Sequence, residues 1–284
     1  MESTAAGSPA HDDRQGAAHA GLFLRARNLD RAGFVHGFSL RDTLDMGLDF
    51  GPTASAEARR ASLRRFAEAV GFAPEELRQV HQVHGARVVR ASEARAPLTD
   101  EREGEREQAD AIVTDAESGS VAVGVRVADC APVLVGDRRI GAVAAIHAGW
   151  RGVVSGVIPA ALAELGKIGS GDYVAAIGPC IGPCCFEVSA EIAAQIAAAS
   201  DAKAIAPRLP NEADGKAHVD LRAAVRAQLA KARVLDIEDV GGCTKCDAAR
   251  FFSYRRDADA SGRHLAVIAA RVNAPISHSS FPAV

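Results

Sequence analysis

Apolar residues recur at three- and four-residue intervals across positions 54–70. Leu63, Phe66, Ala67 and Val70 fall on one face and Gly71 follows, which predicts an amphipathic helix ending at a glycine. A different rhythm governs the middle of the chain. Short, almost wholly apolar runs at 111–114, 121–127, 132–135 and 141–146 are separated by turn-forming residues and predict the buried strands of a core sheet. Residues 173–177 and 265–270 have the same character, and 23–27 and 33–40 read as the first strands. Further helices are expected at 153–165, 190–199 and 221–232. Strands and helices mixed in this way, without regular βαβ alternation, predict an α+β or mixed α/β architecture. No Gly-x-Gly-x-x-Gly or Walker-type loop is present, so a dinucleotide or ATP fold is not expected.

Two stretches stand outside this pattern. Residues 1–20 are rich in Ala, Gly, Ser, Asp and His without periodicity, which predicts a disordered leader before one catalytic domain spanning 21–284. Residues 93–108 are densely charged and contain Pro and Gly, the composition of a solvated loop.

Composition narrows the possible partners. Thirty-three basic and 36 acidic residues give a formal charge of -3, so the one-sided basic surface that nucleic acid requires is not expected. An anionic substrate must then be held by a few placed groups. No uncharged run approaches the length of a membrane span, and the beginning of the chain lacks a basic region followed by an apolar one; a cytoplasmic protein is expected. Six cysteines in 284 residues are too sparse for a disulfide scaffold, leaving thiols or ligands.

Metal-competent side chains interrupt the apolar runs in three places: Gln82-Val83-His84-Gly85, Ala128-Asp129-Cys130-Ala131-Pro132 and His147-Ala148-Gly149-Trp150-Arg151-Gly152. Each is expected at a strand end. Two imidazoles and a thiolate suit Zn²⁺ in a catalytic site that keeps its fourth position open, with copper as the less suited alternative. Residue type alone leaves the alternatives open, since single histidines commonly sit in cores or loops and cysteine is commonly a small buried hydrophobe.

The segments QVHG, ADCAPVLVGD, IHAGWRG, IGPCIGPCCFEV, HVDL and CTKCDAARFFSYRRDADASGRHLAVI occur in an order that resembles the YfiH-like laccase-domain family, also described as multicopper polyphenol oxidases. The resemblance runs from about Phe34 to Ala270 and implies a single four-layer α/β/β/α domain with mixed sheets. It also implies zinc held by His84, Cys130 and His147, which double as the catalytic residues. The implied activities are phosphorolysis of adenosine, inosine, guanosine and methylthioadenosine, and deamination of adenosine, with purine nucleosides and phosphate as ligands. His81 lies outside the matched position and is expected to be a surface or supporting residue.

Other motif residues take candidate roles. Arg151, expected in a glycine-flanked loop before a helix at Val153, offers a guanidinium for phosphate or for tying the loop to a carboxylate. Arg41, in FSLR, matches the FSTR segment of the resembled family and is a second candidate for anion contact. Asp45 stands where that family tends to have Asn, which bears on the purine edge accepted. Glu187 and Asp220 are each candidates for proton transfer or for capping the helix that follows. Cys243 and Cys246 form a C-x-x-C, a spacing that suits zinc or a redox pair; without a second C-x-x-C these two, with Cys180, Cys184 and Cys185, are expected as free thiols near the site.

Three rival functions remain at this level. Copper-dependent phenol oxidation normally needs histidine-rich clusters, and this chain has nine histidines, several outside the motifs. A Cys-His hydrolase would use Cys130 as nucleophile. A non-enzymatic interaction protein has only the leader and the charged loop behind it.

Overall fold

The computed structural model describes residues 23–43, 56–94, 106–115, 117, 121–208 and 213–270; the expected leader, Asp45 and most of the charged loop lie outside them. The elements run β1 (Phe23–Leu24), α1 (Arg27–Arg31), β2 (His36–Ser39), α2 (Ala56–Val70), β3 (Leu77–Arg78), β4 (Val88–Arg90), β5 (Ala111–Thr114), β6 (Ala122–Val127) and β7 (Ala131–Asp137). They continue with β8 (Val143–Ala148), α3 (Trp150–Ser155), α4 (Val157–Leu165), β9 (Tyr173–Ile177), β10 (Glu187–Ser189), α5 (Ala190–Ala199), β11 (Lys216–His218), α6 (Leu221–Lys231), β12 (Asp236–Asp239), α7 (Tyr254–Asp257) and β13 (His264–Ala269).

Two mixed sheets form the frame. One has the order β1-β2-β13-β6-β3, the other β12-β9-β7-β8-β5-β4, and β10 pairs separately with β11. Alternation along the strands shows how the layers stack. Val123, Val125, Ala266 and Ile268 of the five-stranded sheet pack with Leu134, Val143, Ala145 and Val174 of the six-stranded sheet, filling the space between the two. The neighbouring positions point outward. Ala122, Leu265 and Val267 meet Leu63, Phe66, Ala67 and Val70 of α2, while Val133, Val135, Ala144 and Ile146 meet apolar residues of α3 to α6 on the opposite side. The fold is therefore mixed α/β with layers in the order α/β/β/α. Among the described residues no helix is long and apolar enough to cross a membrane.

Several expectations shift by a turn or a strand. The stretch 23–27 is a two-residue strand leading into α1, whose Asn28 side chain donates to Ala175 O at 2.9 Å. The helix expected at 153–165 begins earlier, at Trp150, and is broken into α3 and α4 by Gly156, whose φ of 81° is left-handed. Glu187 is not a cap: it lies in β10, and Ser189 caps α5 by accepting from Ile192 N at 3.3 Å. Asp220 does cap its helix, accepting from Arg222 N at 3.0 Å and Ala223 N at 3.1 Å.

Candidate active site and metal centre

Strand register brings distant residues together. In the antiparallel β7–β8 pair Ala131 lies opposite Ala148, so Cys130, one residue before β7, arrives beside Gly149, one residue after β8. On the other side of β8, β5 pairs with Ala111 opposite Ile146, and His147 N donates to Asp110 O at 2.7 Å. His147 is thus flanked by Cys130 on one strand and Asp110 on the other. Of the three segments expected at strand ends, this one begins with the last two residues of β8 and runs on into α3, and Cys130 immediately precedes β7.

His84 arrives by another route. It sits in the loop between β3 and β4 rather than at a strand end, with a left-handed φ of 61°. Such a conformation is uncommon for a residue with a side chain and persists only when its surroundings over-determine it. Asp110 supplies the determination: its carboxylate accepts from the backbone N of His84 at 2.8 Å and of Gly85 at 2.6 Å, while also accepting from His147 Nδ1 at 2.8 Å. One buried acid thereby fixes the backbone of one histidine and the ring of the other.

Ligand atoms of His84, Cys130 and His147 all lie within 4.8 Å of one another. The two imidazole rings meet edge to face with centroids 4.8 Å apart. Because Asp110 takes Nδ1 of His147, Nε2 is the atom left for the cluster. Gly149 makes the convergence possible, since a Cβ there would stand 2.9 Å from Cys130 Sγ and 3.3 Å from His84 Cδ2.

The electrostatics favour a thiolate. Burial pushes the Cys130 pKa up, but the charge and hydrogen bond of His147, joined by His84, bring it down to about 6. Burial likewise pushes His147 down, and the Cys130 thiolate and Asp110 carboxylate overcome it, raising its pKa to about 9. Burial also works against the Asp110 anion, yet the His147 imidazole and the N–H groups of Gly85 and His84 hold its pKa below the ordinary value. Two imidazoles and one ionised sulfur, oriented by a carboxylate, form the three-donor set that a catalytic zinc site uses.

Asp129 sets the position of Cys130 from behind. Its φ is 86°, and three donors hold it: Ile181 N to its carbonyl at 2.9 Å, Thr244 Oγ1 to Oδ1 at 2.6 Å and Arg255 N to Oδ2 at 2.6 Å. His81 forms an isolated bridge with Gln108 and stands apart from the ligand cluster.

Arg151 lies in the first turn of α3, not in a loop, and its exposed guanidinium stacks 4.7 Å from the centroid of Trp150. Among the described residues it has no carboxylate partner. Arg41 is placed differently. It is 5.2 Å from the Phe252 ring centroid, 3.9 Å from Asp257 Oδ2 and 3.4 Å from Ala248 O, so it belongs with the 248–257 segment. Asp110, Asp129 and Thr244 escaped assignment from sequence. Asp110 had one available signal, an acid directly before the apolar run of β5.

Residues 30–271 match a family profile described as multi-copper polyphenol oxidoreductase laccase. The chain is 39% identical over 200 residues to adenosine deaminase RL5 from an unknown prokaryotic organism, covering 68% of this chain and 75% of that protein. It is 36% identical over 239 residues to a purine nucleoside phosphorylase of Deinococcus radiodurans, covering 84% and 83% respectively. Among solved structures, YlmD from Geobacillus stearothermophilus superposes with a TM-score of 0.74 at 28% identity, over 90% of this chain and 99% of that one.

Proposed function

The chain belongs to the multi-copper polyphenol oxidoreductase laccase family, and from that starting point we propose that it is a zinc-dependent purine nucleoside enzyme. It cleaves adenosine, inosine, guanosine and methylthioadenosine with phosphate, and it deaminates adenosine. The observation that carries this is the convergence of His84, Cys130 and His147 within 4.8 Å. Relatives named purine nucleoside phosphorylase and adenosine deaminase support the substrate class.

His84, Cys130 and His147 hold the metal, and a zinc ion bound there supplies Lewis acidity for water activation near neutral pH. Asp110 keeps the His147 ring in one orientation and presents Nε2 to the site. Arg151 offers an exposed, permanently charged group to the phosphate that attacks the ribose C1′, neutralising charge as the purine departs. For deamination no anion site is needed.

Phenol oxidation by several coppers fits the donor set poorly. Among the described residues, the two groups able to hold a metal are this triad and a set of four cysteines, which together contain two histidines, too few for a cluster of several coppers. The nucleophilic role for Cys130 is also displaced, because a thiolate committed to a metal is a weak free nucleophile.

The test combines metal analysis of purified protein with chromatography of the four nucleosides incubated with and without phosphate. Zinc together with phosphate-dependent release of free purine base, and with inosine formed from adenosine, is expected. Cys130→Ala should lose the triad's metal and both activities. A variant that retains full turnover would remove Cys130 from the site.

A further inference from the structure

Four cysteines that the chain order separates into two pairs come together in space. Cys184 and Cys185 occupy a tight turn in which Cys185 N and Phe186 N donate to Gly182 O at 3.0 Å and 2.9 Å. Cys243 and Cys246 occupy a second turn, closed by Asp247 N donating to Cys243 O at 3.1 Å. Thr244 N donates to Cys180 O at 3.1 Å and joins the turns side by side. As a result Cys246 Sγ stands 3.5 Å from Cys184 Sγ and 3.4 Å from Cys185 Sγ, and all four sulfurs lie within 4.8 Å of one another.

We propose that Cys184, Cys185, Cys243 and Cys246 form a second metal site, a closed tetrathiolate centre for one zinc ion, distinct from the triad and structural in role. All four are free thiols, and their separations far exceed the ~2.05 Å of a disulfide. They approach instead the spacing of about 3.8 Å between corners of a tetrahedron whose centre is 2.3 Å from each sulfur. A redox pair would need two cysteines and gives no reason for four to converge. Gly182 N donates to Cys243 Sγ at 3.2 Å, the kind of backbone donor that stabilises negative sulfur. Four soft donors favour zinc over hard cations, and four protein ligands leave no position for substrate.

The site's location indicates its task. The first turn follows Ile181, whose N–H holds the Asp129 carbonyl; the second contains Thr244, whose hydroxyl holds the Asp129 carboxylate. Asp129 precedes Cys130. An ion linking the two turns braces two of the three donors that hold Asp129 in its left-handed conformation, and so keeps Cys130 aimed at the triad. The brace stands on geometry alone and is independent of which substrate the triad serves.

Zinc is measured per chain in the full-length protein, in Cys130→Ala and in the Cys243→Ser, Cys246→Ser double variant. Two ions are expected in the first and one in each of the others. Cobalt substitution identifies which site remains: the intense absorption of cobalt bound by four thiolates should persist in Cys130→Ala, whereas the double variant should keep only the weaker absorption of cobalt bound by the single Cys130 thiolate. Should the double variant fail to fold, unsubstituted protein still decides. Its native thiols should resist modification until a chelator is added, and denatured protein should titrate six free thiols. One zinc per chain with freely reactive native cysteines would overturn the site. So would four titratable thiols, since a disulfide would then occupy it. Neither outcome touches the nucleoside assignment, which rests on turnover and on Cys130.

Discussion

Asp110 and His147 face each other across neighbouring strands, with Oδ1 2.8 Å from Nδ1, and the same carboxylate carries the backbone of His84 on its other side. The two proposed imidazole ligands therefore share one support that is itself fully buried. In Asp110→Asn, one amide face turns a donor toward a partner that also donates. Leaving a buried donor unsatisfied costs ~1–3 kcal/mol, and loss of a ligand's carboxylate support commonly weakens metal binding by about 10–100-fold. Competition titration of zinc against a chelator, with thermal unfolding on the same preparation, checks both effects. Unchanged zinc affinity would deny Asp110 its supporting role.

Gly149 sets a steric limit on the same site. An added methyl would meet Cys130 Sγ at 2.9 Å, whereas at Gly85 the nearest atom, Asp110 Oδ2, is an ordinary 3.5 Å away. Overpacking of this kind costs about 1–3 kcal/mol. Gly149→Ala is expected to fold but lose most of its triad metal, and Gly85→Ala to keep it. Zinc content of the two variants settles the point, with equal occupancy counting against the close approach.

Much of the frame was legible because buried strands have no polar face to blur their pattern: β5, β7 and β9 appear as plain apolar runs, with β5 and β9 matching to the residue. What escaped were elements too short to show a period, such as β3, β4 and α1, the last lying between two stretches expected as strands. The break at Gly156 is a backbone decision inside a continuous apolar stretch. The candidate triad of His84, Cys130 and His147 was visible only through its flanking motifs, since its members come from three separate segments. Asp110 and the four-cysteine group depend on register and loop packing, which no linear spacing encodes.

A buried histidine gives the fold an acid-sensitive point. His264 accepts from Phe252 N at 2.7 Å through Nε2, which requires the neutral ring. Burial, reinforced by the positive charge of Arg41, lowers its pKa from 6.5 to about 3. Between those values the unfolded chain binds a proton that the folded chain refuses, so unfolding takes up protons and stability rises with pH. The contribution is complete above pH 6.5 and is lost progressively as pH falls toward 3. His264→Gln, which retains an acceptor but cannot titrate, should flatten the melting temperature against pH in that window. Parallel curves for the two proteins would show that His264 does not carry the effect.

Arg151 separates the two proposed activities. Its guanidinium is exposed, stacked on Trp150 and without a carboxylate partner among the described residues, so no ion pair among them ties it to the segment that carries His147. A charge-assisted hydrogen bond to phosphate contributes about 1.5–3 kcal/mol, and at 1.36 kcal/mol per tenfold change in rate its loss slows phosphorolysis by roughly 10–100-fold. Deamination uses water in place of an anion and should change little in Arg151→Ala, with zinc content unaltered. Measuring both rates and the metal on one preparation distinguishes this from simple support of the segment: a structural role would displace His147 and lower both activities and zinc affinity together. Parallel loss would remove Arg151 from the phosphate site and transfer the role to another donor, with Arg41 the next candidate to substitute.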